Sequence, residues 1–218
     1  MTLPDWTIEL TTFFENFKSD GWDDRIVWRT KTPVFVDAHM TYEINALRGA
    51  ITRNPRRRRH AIIEVFAHNE LENGYQRHQE LAWKYVSTHV DSIERAVTKK
   101  LWPLCLENFK TCSNYISDTD ETWKAIRGQE SWEDKSVLQK QISITCISLH
   151  DTEIDGIGVF TLDFAVGWDE EHGVSVLMHR NKVIATSSLA DFTCRGDSLL
   201  DHAKYIQGFS YAEGDLRL

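Results

Sequence analysis

The chain has 218 residues, of which 41% are hydrophobic and 27% charged, with Trp 8 and Phe 10 among them; this is enough apolar bulk for a packed core and excludes disorder as the main state. A formal net charge of -8 opposes adsorption to phosphate backbones, because that association gains most from releasing counterions to a basic surface, so no nucleic-acid partner is expected. No run approaches the roughly 18 uninterrupted apolar residues of a membrane helix. The opening MTLPDWTIELTTFFENF is acidic and aromatic where a secretory leader needs basic residues and then an apolar run, so a cytoplasmic location with no membrane association is expected.

Taken in chain order, the first strand signal is Arg25 to Arg29, with Ile26, Val27 and Trp28. Next, Val34, Val36, Ala38, Met40, Tyr42 and Ile44 alternate with Phe35, Asp37, His39, Thr41, Glu43 and Asn45, the period of a strand with one buried face. With Lys31 to Pro33 as the turn, the two predict an early antiparallel hairpin. Arg53, Arg56, Arg57, Arg58, Arg59 and His60 then cluster around Pro55. Such a run is either a solvated loop tip or a contact site for an acidic partner. The β-branched stretch His60 to Ala67 adds a third strand to the sheet.

From Tyr75 to about Asn108, Ala82, Val86, Val90, Ile93, Val97, Leu101 and Leu104 recur at steps of three and four, which predicts one long amphipathic helix. Pro103 lacks the donor that a helix interior needs, so a kink or restart is expected there. His78 and His89 are not spaced for shared ligation. Residues 117 to 140 read as a surface loop and short helix, with no domain boundary. Four cysteines, Cys105, Cys112, Cys146 and Cys194, form no CxxC pair and read as structural thiols.

The last third predicts a β-meander. Ile142, Ile144 and Cys146 share one face, an Asp155-Gly156 turn follows, and Phe160, Leu162, Phe164 and Val166 line one face of the next strand. After GWDEEHG, Val174, Val176 and Met178 alternate, Arg180 to Lys182 turns the chain, and Val183 to Thr186 returns it.

GWDEEHG is the most distinctive string, since three consecutive carboxylates repel one another unless they diverge, meet backbone N–H groups or bind a cation. Structurally, Trp168 can anchor the turn in the core, Asp169 can accept backbone hydrogen bonds, and Gly173 can supply a positive φ. Chemically, Asp169, Glu171 and His172 are residue types that ligate a divalent cation, and His172 with a carboxylate is an acid–base pair, although no known metal spacing is present. A third use is recognition, with Asp169, Glu170, Glu171 and His172 presented to a basic surface.

The helix from Tyr75 to Asn108, the strand from Ile142 to Cys146 and above all LDFAVGWDEEHGVSVLMHRNKVIA resemble a family of uncharacterised bacterial domains whose members end in a strand, a WDxEHG loop and another strand. Trp168, Asp169, Glu171, His172 and Gly173 carry the match, which runs from about Arg25 to about Thr186. The resemblance implies a small cytoplasmic protein, and some members belong with toxin–immunity systems. The expectation is therefore a single α+β domain over 1–218 with a C-terminal extension at about 187–218, built from antiparallel sheet, the 75–108 helix on one face and the meander. Its expected function is immunity, by binding a cognate toxin through Asp169, Glu170, Glu171, His172, Arg56, Arg57, Arg58 and Arg59, without a cofactor. A metal-assisted hydrolase using the WDEEH segment is the alternative.

Overall fold

A computed structural model describes residues 9–10, 25–38, 40, 42–45, 50–53, 62–68, 76–112, 136–189, 191–192 and 197–209. In chain order they form β1 (Glu9–Leu10), β2 (Arg25–Lys31), β3 (Tyr42–Asn45), β4 (Ala50–Arg53), β5 (Ile62–His68), α1 (Arg77–Thr88), α2 (Val90–Cys112), α3 (Ser136–Gln139), β6 (Ile142–Ile154), β7 (Ile157–Val166), β8 (Asp169–His179), β9 (Lys182–Ser187) and α4 (Asp197–Phe209). Seven strands make one sheet in the order β1-β2-β5-β6-β7-β8-β9, and β3 and β4 form a separate hairpin. The class is α+β. The sheet is mixed rather than antiparallel, because β5 and β6 run parallel and the chain between them passes through α1 and α2.

The expected early hairpin is replaced. β2 pairs antiparallel with β5, from Arg25 opposite His68 to Lys31 opposite Ile62. The apolar alternation at 34–40 does not make a strand: Val34, Phe35 and Ala38 are all buried while Val36 is 54% exposed, which no period of two can give. Instead Phe35 takes a positive φ of 54°, its N–H donates to Glu94 Oε1 at 2.6 Å, and its ring meets Phe164 edge-on at 5.1 Å. Local alternation lost here to a turn that plugs the edge of the core.

The single helix expected over 75–108 is two helices that part at His89, not at Pro103. Ser87 and Thr88 hydroxyls bond back to the carbonyls of Trp83 and Lys84, and the His89 ring stacks on Tyr85 at 3.9 Å. Pro103 is accommodated inside α2 on its exposed side. At the other end of α1, fully buried Gln79 accepts from the Gln76 N–H and donates to the carbonyls of His68 and Leu149 at 2.6 and 3.1 Å. One amide side chain thereby ties the start of α1 to the end of β5 and the middle of β6.

The principal core lies between this helix pair and one face of the sheet, where Ala82, Trp83, Val86, Ile93, Val97 and Leu101 meet Ile63, Val65, Ile147, Leu149, Phe160, Leu162 and Phe164. A smaller core lies on the opposite face, where Leu199 and Ala203 of α4 and Phe192 cover Val159, Leu177 and Ala185. The segment expected as an extension thus supplies a helix packed on β9. β6 through β9 are consecutive antiparallel neighbours, joined first by the Asp155-Gly156 turn, whose φ values of 52° and 73° are those of a tight hairpin. No described helix is long and apolar enough to cross a membrane.

Candidate functional site

GWDEEHG is not a loop between strands. Val166 pairs with Asp169, so the connection shrinks to Gly167 and Trp168, and Asp169 already belongs to β8. Phe164 pairs with Val174, which leaves Glu170 to Gly173 standing against the single residue Ala165. The segment is therefore a bulged strand start, the device by which sheets re-aim side chains. Trp168 is buried in the principal core. Gly173 has a φ of +59°, and a Cβ placed on it would lie 2.6 Å from both the carbonyl oxygen of Phe164 and Cδ1 of Leu189. His172 is exposed, and its carbonyl accepts from the Leu189 N–H at 3.0 Å. The side chains of Asp169, Glu170 and Glu171, and all of Arg56, Arg57, Arg58 and Arg59, lie outside the described residues. Among the described residues, no group of three or more His, Cys, Asp and Glu side chains is arranged to hold a metal ion.

Leu189 leads from the motif to a cavity. Beside the small core, on the face away from α1 and α2, a cavity of about 260 Å³ is lined by Phe66 and His68 of β5, Thr145, Cys146 and Ser148 of β6, Thr161 and Asp163 of β7, Ser175 of β8, and Leu189 and Phe192 beyond β9. Strand register sets out these side chains in rows. Glu64, Cys146, Asp163, Ser175 and Ser187 stand opposite one another in turn, and Phe66, Ser148 and Thr161 form the adjacent row.

An irregularity in β6 creates the first of these rows. Ile144 pairs with Phe164 but Cys146 pairs with Asp163, so Thr145 is an extra residue. The expected face shared by Ile142, Ile144 and Cys146 is broken there: Ile147 and Leu149 continue the core, while Cys146 and Ser148 turn to the cavity. The Thr145 hydroxyl donates to the Asp163 carbonyl at 3.1 Å and fixes the bulge.

Burial governs the charge states here. Asp163 accepts from the Ser175 hydroxyl at 2.5 Å, yet loss of solvent pushes its carboxyl above the ordinary value, with the Ser175 and Cys146 hydrogen bonds opposing the shift. Burial, reinforced by the nearby Asp163 charge, pushes the Cys146 thiol well up. His150, buried behind Thr161 with Nε2 2.6 Å from the hydroxyl and its ring stacked on His68 at 4.7 Å, is pushed well below the usual histidine range by burial and by His68. Cys146 and His150 are four residues apart on one strand, roughly 13 Å, so they do not form a nucleophile–base pair.

A family described as a domain of unknown function (DUF6985) matches residues 15–193. The chain belongs to this family. Every residue lining the cavity, up to Phe192, falls inside the DUF6985 match, as does GWDEEHG, whereas α4 lies beyond it. No curated protein and no solved structure matches the chain.

Sequence reasoning missed the cavity because its polar residues, Thr145, Cys146, Ser148, Thr161, Asp163 and Ser175, are dispersed over three strands and form no string. Asp163 was the available signal: a carboxyl inside LDFAV alternates with core residues and so faces the other side of a largely covered sheet.

Proposed function

We propose that this DUF6985 protein is an immunity-type binding protein that neutralises a cognate bacterial toxin by non-covalent contact. The observation that carries the reading is the cavity on the second sheet face, where hydroxyls, a carboxyl and two aromatic rings converge without an activated nucleophile. Thiolate, not thiol, attacks electrophiles, so a thiol pushed well up by burial serves packing and recognition rather than covalent catalysis. A net charge of -8 would speed encounter with a basic toxin cleft through electrostatic steering. The resemblance carried by Trp168, Asp169, Glu171, His172 and Gly173 points to the same class, and the motif backs onto Leu189 at the cavity wall.

The test is to express each protein encoded next to this chain's gene, alone and together with the chain, and to measure toxicity, growth and complex formation. Rescue of growth with a stoichiometric complex supports the reading. Absence of both, with each protein folded, sinks it.

A further inference from the structure

The cavity has an acceptor-rich floor, aromatic walls and, among the described residues, no lysine or arginine in its lining. Asp163 is the carboxyl in that lining, and the neighbouring Glu64 is already engaged by Arg29 at 2.8 Å. The Ser175 hydroxyl and the Cys146 thiol both donate to the Asp163 carboxylate, and of its roughly four lone-pair sites the others remain for a ligand. Phe66 and Phe192 add ring surface, and ring faces attract cations and apolar stems alike. At about 260 Å³ the space falls below the roughly 300–1,000 Å³ of drug-sized sites and suits one side chain or a small amine.

We propose that the Asp163 cavity is a binding site for an alkylguanidinium or alkylammonium group, with the cationic head on the Asp163 carboxylate and the methylene stem against Phe66 and Phe192. Under the immunity reading, on which this part rests, an arginine or lysine of the toxin supplies that group. A free amine is the other source of the same chemistry. Loss of solvent penalises a lone carboxylate at this position, and an incoming cation offsets the penalty, so binding and ionisation of Asp163 reinforce each other. Among the described residues, the titratable neighbours that share the environment are Cys146 and, behind Thr161, His150 on β6, Glu64 and His68 on β5, and beyond β9 Asp191, which holds the Ser187 hydroxyl in the same row.

The probes are n-butylguanidinium and n-butylammonium, with neutral n-butylurea as the shape-matched control, followed by carboxyl carbon NMR on the full chain. Saturable shifts at Asp163 and Ser175, a fall in the Asp163 titration midpoint, and binding about 10–100-fold tighter than butylurea are expected. An unmoved midpoint, or equal binding of butylurea, overturns the site without any variant having to fold. Asp163→Asn, which keeps the shape and the Ser175 contact, is expected to lose the same about 10–100-fold for the cations. If it weakens the toxin complex equally, the cation is a side chain of the toxin. If butylguanidinium binds at Asp163 while the toxin holds wild type and Asp163→Asn alike, the site stands and its ligand is a free amine. If the cation binds and no toxin complex forms, the site stands and the immunity reading falls.

Discussion

Ser175 hydrogen-bonds Asp163 across the β7–β8 pairing, hydroxyl to Oδ1 at 2.5 Å, and this donor on its own does not restore the carboxyl to its ordinary acidity. Burial dominates. Between the unfolded value near 3.8 and the higher folded one, the native state therefore binds more protons than the unfolded chain. Stability contributed by this group is full at low pH and falls as pH rises through that window. Asp163→Asn removes the penalty, so the variant should melt higher than wild type at pH about 7.5, with the gap closing toward pH about 4. Calorimetry across that range checks it, and a pH-independent gap would contradict the assignment.

His150 has the opposite dependence. It is buried and its folded value is depressed, so the unfolded chain takes up a proton first as pH falls through about 6.5. Stability should then fall by up to about 1.4 kcal/mol per pH unit for this one proton. Urea denaturation of wild type and His150→Gln between pH about 7.5 and 5.5 measures it; a slope that the substitution does not flatten would show that other groups carry the loss.

Two glycines with positive φ separate conformational strain from steric conflict. Gly156, at +73°, has no described atom within 4 Å of the point where an alanine methyl would stand, whereas Gly173, at +59°, faces the Phe164 carbonyl and Leu189 at 2.6 Å. Gly156→Ala should cost about 1–2 kcal/mol from backbone conformation alone. Gly173→Ala should cost more, because a carbonyl cannot swing aside, and should also displace Leu189 from the cavity wall. Equal losses in urea titrations would remove the steric part of the account.

Gln79 is the third structural test. Replacing it with leucine keeps the volume but leaves the Gln76 N–H and the His68 and Leu149 carbonyls without this partner. Each of the two carbonyls is buried, and a buried group that loses its partner costs about 1–3 kcal/mol. The variant should be destabilised by at least that amount, with amide exchange accelerating first at the start of α1, the end of β5 and around Leu149 in β6. A neutral substitution would mean that the carbonyls find other donors.

A comparable close approach occurs where α1 crosses β7. A Cβ on Gly158 would lie 3.0 Å from the His78 carbonyl oxygen, so this glycine sets how near the helix can pack. Gly158→Val should therefore push α1 outward and lower the melting temperature more than an equivalent change at an exposed strand position. Calorimetry with a crystal structure of the variant decides it; an unchanged helix position would sink the packing explanation.

The sequence by itself determined the α+β class, the presence of strands over much of the last third, and the Asp155-Gly156 turn, because these rest on side-chain period and on backbone preferences of residues adjacent in the chain. Helical residues across 77–108 were legible for the same reason, but not the break at His89, which depends on hydroxyls bonding back to the preceding turn. Tertiary structure decided the rest. Val34 and Phe35 look like a strand until a positive φ and the Glu94 carboxylate turn them into a plug against Phe164. Cys146 looks like a core residue until one inserted threonine reverses its face, since a slip of one residue exchanges the two sides of a strand. GWDEEHG looks like a loop until pairing of Val166 with Asp169 absorbs it into β8. The cavity itself joins residues from Phe66 to Phe192, and only pairing partners distant in the chain could bring Asp163, Cys146 and Ser175 into one row.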